Sequence, residues 1–318
     1  MDVFEGGNAT VGGAPFNVAF QAHQLLTASN RGRGDMVSAI GTDKWGRHIL
    51  SALEDASISA EYVAVNPDHP TGVASVFVGA GEAGFEIAPD AAWDYLEGSA
   101  STDNLAREST AVAFGSLAQR SPRSGEMVRD FVGKVKGHRL YDVNLRRNTT
   151  DGICGYSVEI VDSSCRVATI MKCNEAELDE LGTMLGFSAA AGNTEDRIAA
   201  QMARLRGMYG LFAVIVTRGA KGAMLMTEDV QTQLPDSMLG SQKINPVGAG
   251  DAFSAGLLYG LTQGWSIRSS GEIADRLASW VTGFESATPR LTPEIKSALD
   301  EIESRAAVDT TSQSVLKG

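Results

Sequence analysis

The sequence of 318 residues has few cysteines, few histidines and no excess of basic residues. Its three cysteines are an odd number and form no CxxC pair, which argues against a disulfide framework and against a zinc site. The four histidines lie far apart, without the spacing of metal ligands. A net charge of −12 argues against the basic surface by which proteins usually bind nucleic acid, so we expect no nucleic-acid partner.

Long apolar runs are also missing from the sequence. No stretch approaches the length of a membrane-spanning helix. Residues 1–7 have neither the basic start nor the apolar centre of a signal peptide. We therefore expect a protein of the reducing cytoplasm without a membrane partner. With 43% apolar residues and no linker or internal repeat, residues 1–318 are predicted to form a single domain.

Short apolar runs alternate along the chain with stretches of helical periodicity. The predicted strands are residues 36–40, 71–78, 111–115, 140–146, 167–171, 212–217 and 223–227. The predicted helices are residues 46–55, 124–136, 176–185, 195–209, 273–284 and 293–306, besides those after the glycine motifs described below. Apolar strands that alternate with helices are typical of a parallel sheet covered on both faces. The sequence therefore predicts a three-layer α/β/α fold with a mostly parallel central sheet.

Two segments, residues 3–11 and 71–88, do not fit this alternation. We expect them to form a small separate sheet, a β lid over the ligand site. Residues 79–84 match the pattern GxGxxG, which binds dinucleotides only where a helix follows it. Because Phe85-Glu86-Ile87 is strand-like, we interpret residues 79–84 as a hairpin turn, which weakens an oxidoreductase interpretation.

The stretch from Asn245 to Phe253 has the pattern of a phosphate site. Two glycines flank Ala249, so backbone N–H groups can be presented there, and an apolar helical pattern follows. Free amides and the positive end of a helix dipole attract an anion. Asp251 adds a carboxylate, which suits a base that takes a proton from an attacking hydroxyl. On these residues alone, an ordinary acidic residue in a first helical turn remains the alternative.

A second glycine motif, Gly12-Gly13-Ala14-Pro15-Phe16-Asn17, also leads into a predicted helix. The glycines would let a ligand approach the backbone while Asn17 binds its hydroxyls, or the motif is a plain turn. Polar residues also follow several predicted strands, where ligands bind in open α/β sheets. They are Asp142, Asn144 and Arg146, then Asn174 and Glu177, then Thr217 and Gly219.

The two glycine motifs, Gly12-Gly13-Ala14-Pro15-Phe16-Asn17-Val18-Ala19 and Gly248-Ala249-Gly250-Asp251-Ala252-Phe253, resemble the two signatures of the ribokinase-like (PfkB) carbohydrate kinases. The landmarks between them stand in the family's order: Gly41-Thr42-Asp43, Asp142-Val143-Asn144-Leu145-Arg146, Lys172 to Glu177, and Thr217-Arg218-Gly219 with Gly222. The resemblance covers nearly the whole chain. Ala91-Ala92-Trp93-Asp94, together with the segment from Asp142 to Arg146, is most similar to bacterial fructokinase-like members.

The resemblance implies transfer of the γ-phosphate of ATP to a sugar hydroxyl, with fructose as the first candidate and Mg²⁺ as cofactor. It implies a general base, Asp251, and an anion hole made by the amides of Gly248, Ala249 and Gly250. The implied sugar-binding residues are Asp2, Gly12, Gly13, Asn17 and Arg146. The implied nucleotide-binding residues are Asn174, Thr217, Gly219 and Gly222, and Glu177 would hold Mg²⁺ through water. No Walker A motif is present, and the family's lid often forms a homodimer surface.

The sequence departs from the family pattern at three places. Met1 directly precedes Asp2, so we expect most of the first core strand to be missing; this leaves open an upstream start or a catalytically silent sugar-binding relic. Asn245 stands where the family usually has Asp, six residues before Asp251, and a neutral amide attracts a monovalent cation less than a carboxylate does. Ser286-Ala287-Thr288 stands where a Gly-Ala pair is usual. The pocket residues leave open another ketose or a nucleoside as substrate.

Overall fold

The computed structural model describes residues 1–4, 9–78, 83–146, 156–187, 194–235 and 245–315. The chain divides into two units. The first contains Met1–Ala19 and Asp35–Val167, and the second contains Phe20–Gly34 and Ala168–Gly318. In the described part of the chain, no helix combines the length and the apolar character that crossing a membrane requires.

The first unit combines short strands with helices. Its strands are β1 (Asp2–Phe4), β2 (Ala9–Thr10), β3 (Ser38–Gly41), β4 (Val63–Asn66), β5 (Ala74–Val78), β6 (Ala83–Ile87), β7 (Ala111–Gly115) and β8 (His138–Asp142). Its helices are α1 (Ala14–Ala28), whose residues from Phe20 onward belong to the second unit, α2 (Lys44–Asp55), α3 (Ala100–Glu108), α4 (Pro122–Lys134) and α5 (Val158–Val167).

Four strands from the two segments outside the α/β alternation form one sheet, in the order β2-β1-β5-β6. β1 runs parallel to β5, with Asp2 opposite Ala74, and antiparallel to β2. β5 and β6 are antiparallel, with Val78 opposite Ala83. β6 is therefore the strand that the sequence predicted after the GxGxxG pattern, while residues 79–82, part of the predicted turn, lie outside the described residues. Elsewhere in this unit β3 pairs with β4 and β7 with β8, both in parallel.

Asp43, from the landmark Gly41-Thr42-Asp43, caps the amino end of α2. Its Oδ1 accepts hydrogen bonds from the backbone N–H groups of Trp45 and Gly46, each at 2.9 Å, and its Oδ2 accepts one from Thr71 at 2.7 Å. Burial by itself would raise the pKa of the Asp43 carboxyl, but these hydrogen bonds and one from the Thr71 hydroxyl together lower that pKa below its usual value. This landmark therefore joins α2 to the segment before β5.

The second unit is built on a mixed sheet with parallel and antiparallel neighbours. Its strands are β9 (Ile170–Asn174), β10 (Ala213–Thr217), β11 (Ala223–Met226) and β12 (Gln231–Leu234). Its helices are α6 (Glu175–Met184), α7 (Thr194–Tyr209), α8 (Ala249–Thr262), α9 (Ile267–Val281) and α10 (Pro293–Val315). β9 and β10 are parallel, and β11 and β12 continue the sheet antiparallel.

Helix α8 is buried on all sides from Asp251 to Leu261. It packs closely on α9 through two glycines. A Cβ on Gly256 would lie 2.8 Å from Cα of Ala274, and a Cβ on Gly260 would lie 2.7 Å from Oγ of Ser270. Because Gly256 and Gly260 are four residues apart, they share one face of the helix. The apolar face of α9 and α10 completes this core.

Several predicted boundaries are wrong. The strand predicted over residues 140–146 ends at Asp142, because Asn144 adopts a left-handed conformation with φ 39°, which interrupts an extended chain. The strand predicted from residue 167 starts at Ile170, since Val167 ends α5. α9 starts at Ile267 instead of residue 273, and α10 continues to Val315 instead of ending at residue 306.

The sequence did not predict α3, α5, β4 or β12. α5 contains Ser163 and Ser164, which favour a helix weakly, and β12 is a short strand with alternate exposed residues. Cys165 in α5 and Cys173 in β9 are buried thiols, and burial, followed by the charge of Asp162, raises the pKa of Cys165 to about 12. Cys154 lies outside the described residues, as do residues 316–318.

Candidate active site

The amino end of α8 has the geometry of an anion site. Gly248 is the residue that precedes the helix, with φ 83° and ψ −6°, a left-handed conformation that favours glycine. A Cβ on Gly248 would also collide with Cβ of Ala287. Because Gly248 has no side chain, nothing from it caps the first amides of α8, which a helix leaves without partners of its own.

The amides of this first turn are not equivalent. The N–H of Ala249 donates to the carbonyl of Pro246 at 3.3 Å, and the N–H of Ala252 donates to the carbonyl of Gly248 at 2.9 Å. Gly250 and Asp251 lie between these two residues, at helix positions whose N–H groups point out of the amino end. Of the three amides expected in the anion hole, the N–H of Ala249 thus already makes a long hydrogen bond within the loop.

Asp251 is in the first turn of α8 and is only 9% exposed. Gly248, and not Asp251, precedes the helix as its cap. A buried carboxylate beside helix amides is stabilised by the dipole but loses most of its water. This placement suits a group that exchanges a proton with a ligand.

Lys172, in β9, lies against the start of α8. Its side chain is 4% exposed, and its Nζ would be 3.4 Å from a Cβ on Gly250. The sequence placed Lys172 among the family landmarks but gave it no role. A signal was present, because a lysine inside an otherwise apolar strand is costly to bury unless it interacts with negative charge.

Asn174 and Glu177 form a reciprocal cap at the start of α6. Oδ1 of Asn174 accepts from the N–H of Glu177, and Oε2 of Glu177 accepts from the N–H of Asn174, both at 2.8 Å. The arrangement is a capping box, which fixes the two side chains relative to each other. Asn174 also lies opposite Thr217 in the parallel pair of β9 and β10. Two of the predicted nucleotide residues are therefore neighbours at the carboxyl ends of adjacent strands.

The segment from Thr217 to Gly222 is a tight turn between β10 and β11. The N–H of Arg218 donates to the carbonyl of Gly222 at 2.8 Å, and that of Gly222 donates to Gly219 at 3.0 Å. Gly219 and Gly222 have φ of 56° and 75°, and a Cβ on Gly222 would collide with the carbonyl of Leu234. Gly222 is therefore required by the turn itself, and the left-handed φ of Gly219 favours glycine.

Arg218 was not predicted to take part in the site. Its buried guanidinium donates from Nε to Oε1 of Glu175 at 2.7 Å, and its Nη1 lies 3.5 Å from Oε1 of Glu195. Glu175 is the first residue of α6, directly after Asn174. Among the described residues, Nη1 of Arg218 has no hydrogen-bond partner. The ion pair connects the turn after β10 to the helix that carries Glu177.

In the first unit, the predicted sugar residues Asp2, Gly12 and Arg146 come together. Gly12 faces the carboxylate of Asp2 so closely that a Cβ on Gly12 would overlap it. Burial raises the pKa of the Asp2 carboxyl, while the amino-terminal ammonium and then the guanidinium of Arg146 act to lower that pKa. Arg146 is therefore close enough to Asp2 to influence its charge.

Gly13 and Asn17 lie at the start of α1. Gly13 has φ 101°, a conformation that glycine adopts readily, and its carbonyl accepts from the N–H of Asn17 at 3.1 Å. The side chain of Asn17 is buried, with 2% exposure. The predicted turn into a helix is thus present, and Asn17 faces the interior.

The described residues fit a Mg²⁺ ion only if water and phosphate oxygens supply most of its ligands. No group of three or more His, Cys, Asp or Glu side chains in the described ranges is arranged to hold a metal ion. Glu177 is a single carboxylate with one oxygen engaged in the capping box. Mg²⁺ keeps several of its waters and takes one or two carboxylates together with phosphate oxygens. A water-mediated role for Glu177 is consistent with this chemistry.

The sequence of this protein matches a known family over most of its length. Residues 5–294 match the pfkB family of carbohydrate kinases. The chain belongs to the pfkB carbohydrate kinase family. Membership agrees with the α/β architecture, the glycine turn before α1 and the glycine turn before α8.

Three relatives show how far the similarity to other pfkB kinases extends. An uncharacterized sugar kinase of Pyrococcus horikoshii is 26% identical over 288 residues, which are 88% of this chain and 83% of that protein. Its structure in complex with ATP has a TM-score of 0.70 at 21% identity and covers 90% of this chain and 91% of that chain.

The other two relatives are a fructokinase and a nucleoside kinase. A double mutant of the fructokinase from Vibrio cholerae O395, with fructose, ADP and potassium bound, has a TM-score of 0.72 at 23% identity and covers 94% of both chains. A nucleoside kinase of Burkholderia thailandensis in complex with inosine has a TM-score of 0.67 at 21% identity and covers 93% of this chain and 85% of that chain. These structures show that the chain has the ribokinase-like α/β fold.

Proposed function

We propose that this pfkB family member transfers the γ-phosphate of ATP to a hydroxyl of a sugar, with fructose as the first candidate. The observation that carries the proposal is the start of α8, where the buried carboxylate of Asp251 lies in the first helical turn and Nζ of the buried Lys172 lies near Gly250. One such place offers a base for the attacking hydroxyl and positive groups for the phosphoryl group. A helix cap alone does not call for either the buried acid or the buried lysine.

In the proposed reaction, Asp251 takes the proton of the sugar hydroxyl as its oxygen attacks the γ-phosphorus. The new O–P bond forms while the bond to the leaving ADP oxygen breaks. Negative charge then spreads over the transferring oxygens. The amides of Gly248, Ala249 and Gly250, with Lys172, stabilise that charge, and one well-placed donor contributes roughly 3–4 kcal/mol in comparable sites.

Asn174, Thr217, Gly219 and Gly222 are the proposed nucleotide residues, and Glu177 would hold Mg²⁺ through water. When bound, Mg²⁺ neutralises phosphate charge. The proposed sugar residues are Asp2, Gly12, Gly13, Asn17 and Arg146. Asp2, Asn17 and Arg146 supply hydrogen-bonding groups of the kind that sugar hydroxyls require, and Gly13 leaves its backbone open, with no atom within 4 Å of a Cβ built there.

The test is a panel of sugars and nucleosides with Mg-ATP, in which ADP formation and the phosphorylated product are both measured. We expect turnover of fructose and loss of turnover in Asp251→Asn, because an amide cannot accept the proton. Asp300→Asn is the matched control, since Asp300 is exposed on α10. Full activity of Asp251→Asn would show that Asp251 is not the base. Turnover of another ketose in the panel, without turnover of fructose, would assign that ketose as the substrate.

The same panel tests two alternatives. A nucleoside substrate is favoured by the fold shared with the inosine-bound nucleoside kinase, and preferential turnover of inosine or another nucleoside in the panel would establish it. A sugar-binding relic is the second alternative. Binding of ATP or sugar by calorimetry, without turnover of any substrate, would establish the relic and reject the kinase.

The sheet formed by β1, β2, β5 and β6 is the proposed lid and the proposed surface of a homodimer. We place the protein in the cytoplasm, in line with its buried thiols Cys165 and Cys173. Light scattering at assay concentration tests the dimer. A monomeric mass would contradict it without affecting the proposed reaction.

A further inference from the structure

Asn245, in the loop before α8, is held at both ends of its side-chain amide. Its Nδ2 donates to the backbone carbonyl of Glu285 at 2.8 Å, and its Oδ1 accepts from the N–H of Val247 at 3.0 Å. These two bonds define the orientation of the amide, because the reversed orientation would set oxygen against oxygen and N–H against N–H. The backbone N–H of Asn245 donates to the carbonyl of Thr282 at 3.1 Å.

The bonds of Asn245 tie the loop before α8 to the segment after α9. The same segment contains Ala287, which packs against Gly248. The carbonyl of Ala287 accepts from Nε2 of Gln21 at 3.2 Å, which holds the segment from the other side. The position of Gly248, and of the helix amides that follow it, therefore depends on the tie at Asn245.

The hydrogen bond from Asn245 to Glu285 is made by an N–H donor, whereas a cation site is made of oxygen atoms. Cations such as K⁺ are bound by oxygen atoms of carboxylates and carbonyls. Here the carbonyl oxygen of Glu285 already faces the positive N–H edge of Asn245. An aspartate at position 245 would place a carboxylate oxygen against the same carbonyl, and two oxygens at this distance repel unless a cation lies between them. The residues present do not fit a monovalent cation that bridges position 245 and Glu285.

We infer that the amide of Asn245 takes the place of a monovalent cation. Its side-chain N–H donates directly to the Glu285 carbonyl. A carboxylate at this position could be joined to the same carbonyl only through a bound cation. The protein consequently needs no K⁺ at this position, and the single change Asn245→Asp creates a K⁺ requirement. The inference goes beyond a weakened cation site, because it names the group that replaces the ion and the substitution that restores it.

The test compares melting temperatures in KCl and in tetramethylammonium chloride, each at about 0.1 M, so that screening of surface charge is equal in both salts. Wild type should melt at the same temperature in both. Asn245→Asp should melt below wild type in tetramethylammonium chloride and recover in KCl, because binding of K⁺ to the folded state stabilises it. Asn245→Ala should melt below wild type in both salts, since it lacks both the hydrogen bond and the charge.

Asn30→Asp is the matched control for the added charge, because Asn30 is exposed and its positive φ suits aspartate. It should respond to the two salts as wild type does. Stabilisation of wild type by KCl relative to tetramethylammonium chloride would overturn the inference. Equal melting of Asn245→Asp in the two salts would also overturn it.

A kinetic measurement extends the test and rests on the proposed kinase function. In KCl compared with tetramethylammonium chloride, kcat/KM of wild type should be unchanged, whereas that of Asn245→Asp should rise about tenfold, the size expected when one polar contact is repaired. If wild type turns over no substrate of the panel, the proposed function fails, and the melting temperatures still decide the inference. Turnover of wild type that requires K⁺ would refute the inference alone.

Discussion

The ammonium of Lys172 lies against the backbone of Gly250 at the point where α8 begins. A Cβ on Gly250 would be 3.4 Å from Nζ of Lys172. The ammonium and the amino end of a helix are both positive, so an anion placed near them is attracted by both. The contact joins a residue of β9 to the first turn that carries Asp251.

Lys172→Met tests the part that this contact plays in the proposed reaction. We expect kcat to fall about 100-fold, the size of effect seen when one donor to a developing oxyanion is removed. The free energy of unfolding is measured as well, because removing one buried charge costs stability where it leaves an opposite charge without its partner. Initial rates and urea unfolding measure the two quantities.

Lys296→Met is the control for Lys172→Met, since Lys296 is exposed on α10. It should change neither the rate nor the stability. If Lys172→Met loses stability while kcat is retained, Lys172 has a structural role and not a catalytic one.

Gly248→Ala should destabilise the protein by about 1–3 kcal/mol, because the left-handed φ strains alanine and the new Cβ collides with Ala287. Gly186→Ala separates the two causes. Gly186 also has positive φ, but no atom lies within 4 Å of a Cβ built there. Urea unfolding of both variants should show the larger loss for Gly248→Ala, and equal losses would mean that the contact with Ala287 relaxes without cost.

Glu175→Ala should cost about 1–3 kcal/mol of unfolding free energy, since it leaves the buried guanidinium of Arg218 without its short partner. Adding Arg218→Met to the same chain should recover part of this loss, because the unsatisfied charge is then removed as well. Thermodynamic cycles built from urea unfolding measure the recovery. A double variant less stable than Glu175→Ala alone would show that the packing of the Arg218 side chain, and not its charge, determines its effect on stability.

Asp43 should make the stability of the protein depend on pH. Its pKa is lowered in the folded state, so the stabilisation is present above the pKa of the unfolded carboxyl, about 3.9, and is lost as pH falls through the lower folded value. At neutral pH, Asp43→Ala should cost about 0.5–2 kcal/mol as a lost helix cap. Urea unfolding at neutral pH and near pH 3 should show the difference from wild type shrink in acid. A difference independent of pH would contradict the ionised cap.

Local sequence patterns predicted those parts of the fold that local chemistry determines. β10 and β7 were recovered because each is a continuous apolar run, and the turns at Gly13 and Gly248 were recovered because glycine marks a positive φ. The end of β8 was missed because it depends on the conformation of one residue, Asn144. α5 was missed because its serines are stabilised by tertiary burial and not by helix propensity.

The sequence indicated the glycines and Asp251 of the candidate site but not the charged residues around them. Asp251 lies within the motif from Gly248 to Phe253, so sequence alone identifies it as a candidate. Lys172 meets Gly250 only after β9 and α8 have packed, and Arg218 meets Glu175 across two segments separated in the chain. Contacts between distant segments leave no local pattern, although a lysine in an apolar strand is a hint of one.

The close packing of α8 on α9 limits the substitutions that the protein tolerates at positions far from any ligand. Gly256 and Gly260 touch Ala274 and Ser270, so a methyl group at either glycine must push the helices apart. Asp251 is on the same rigid helix, and a shift of its far end is transmitted along the axis to the carboxylate. Genetic variants that silence this protein are therefore expected to cluster on a helix–helix seam as well as around the ligands, and a screen restricted to pocket residues would overlook them.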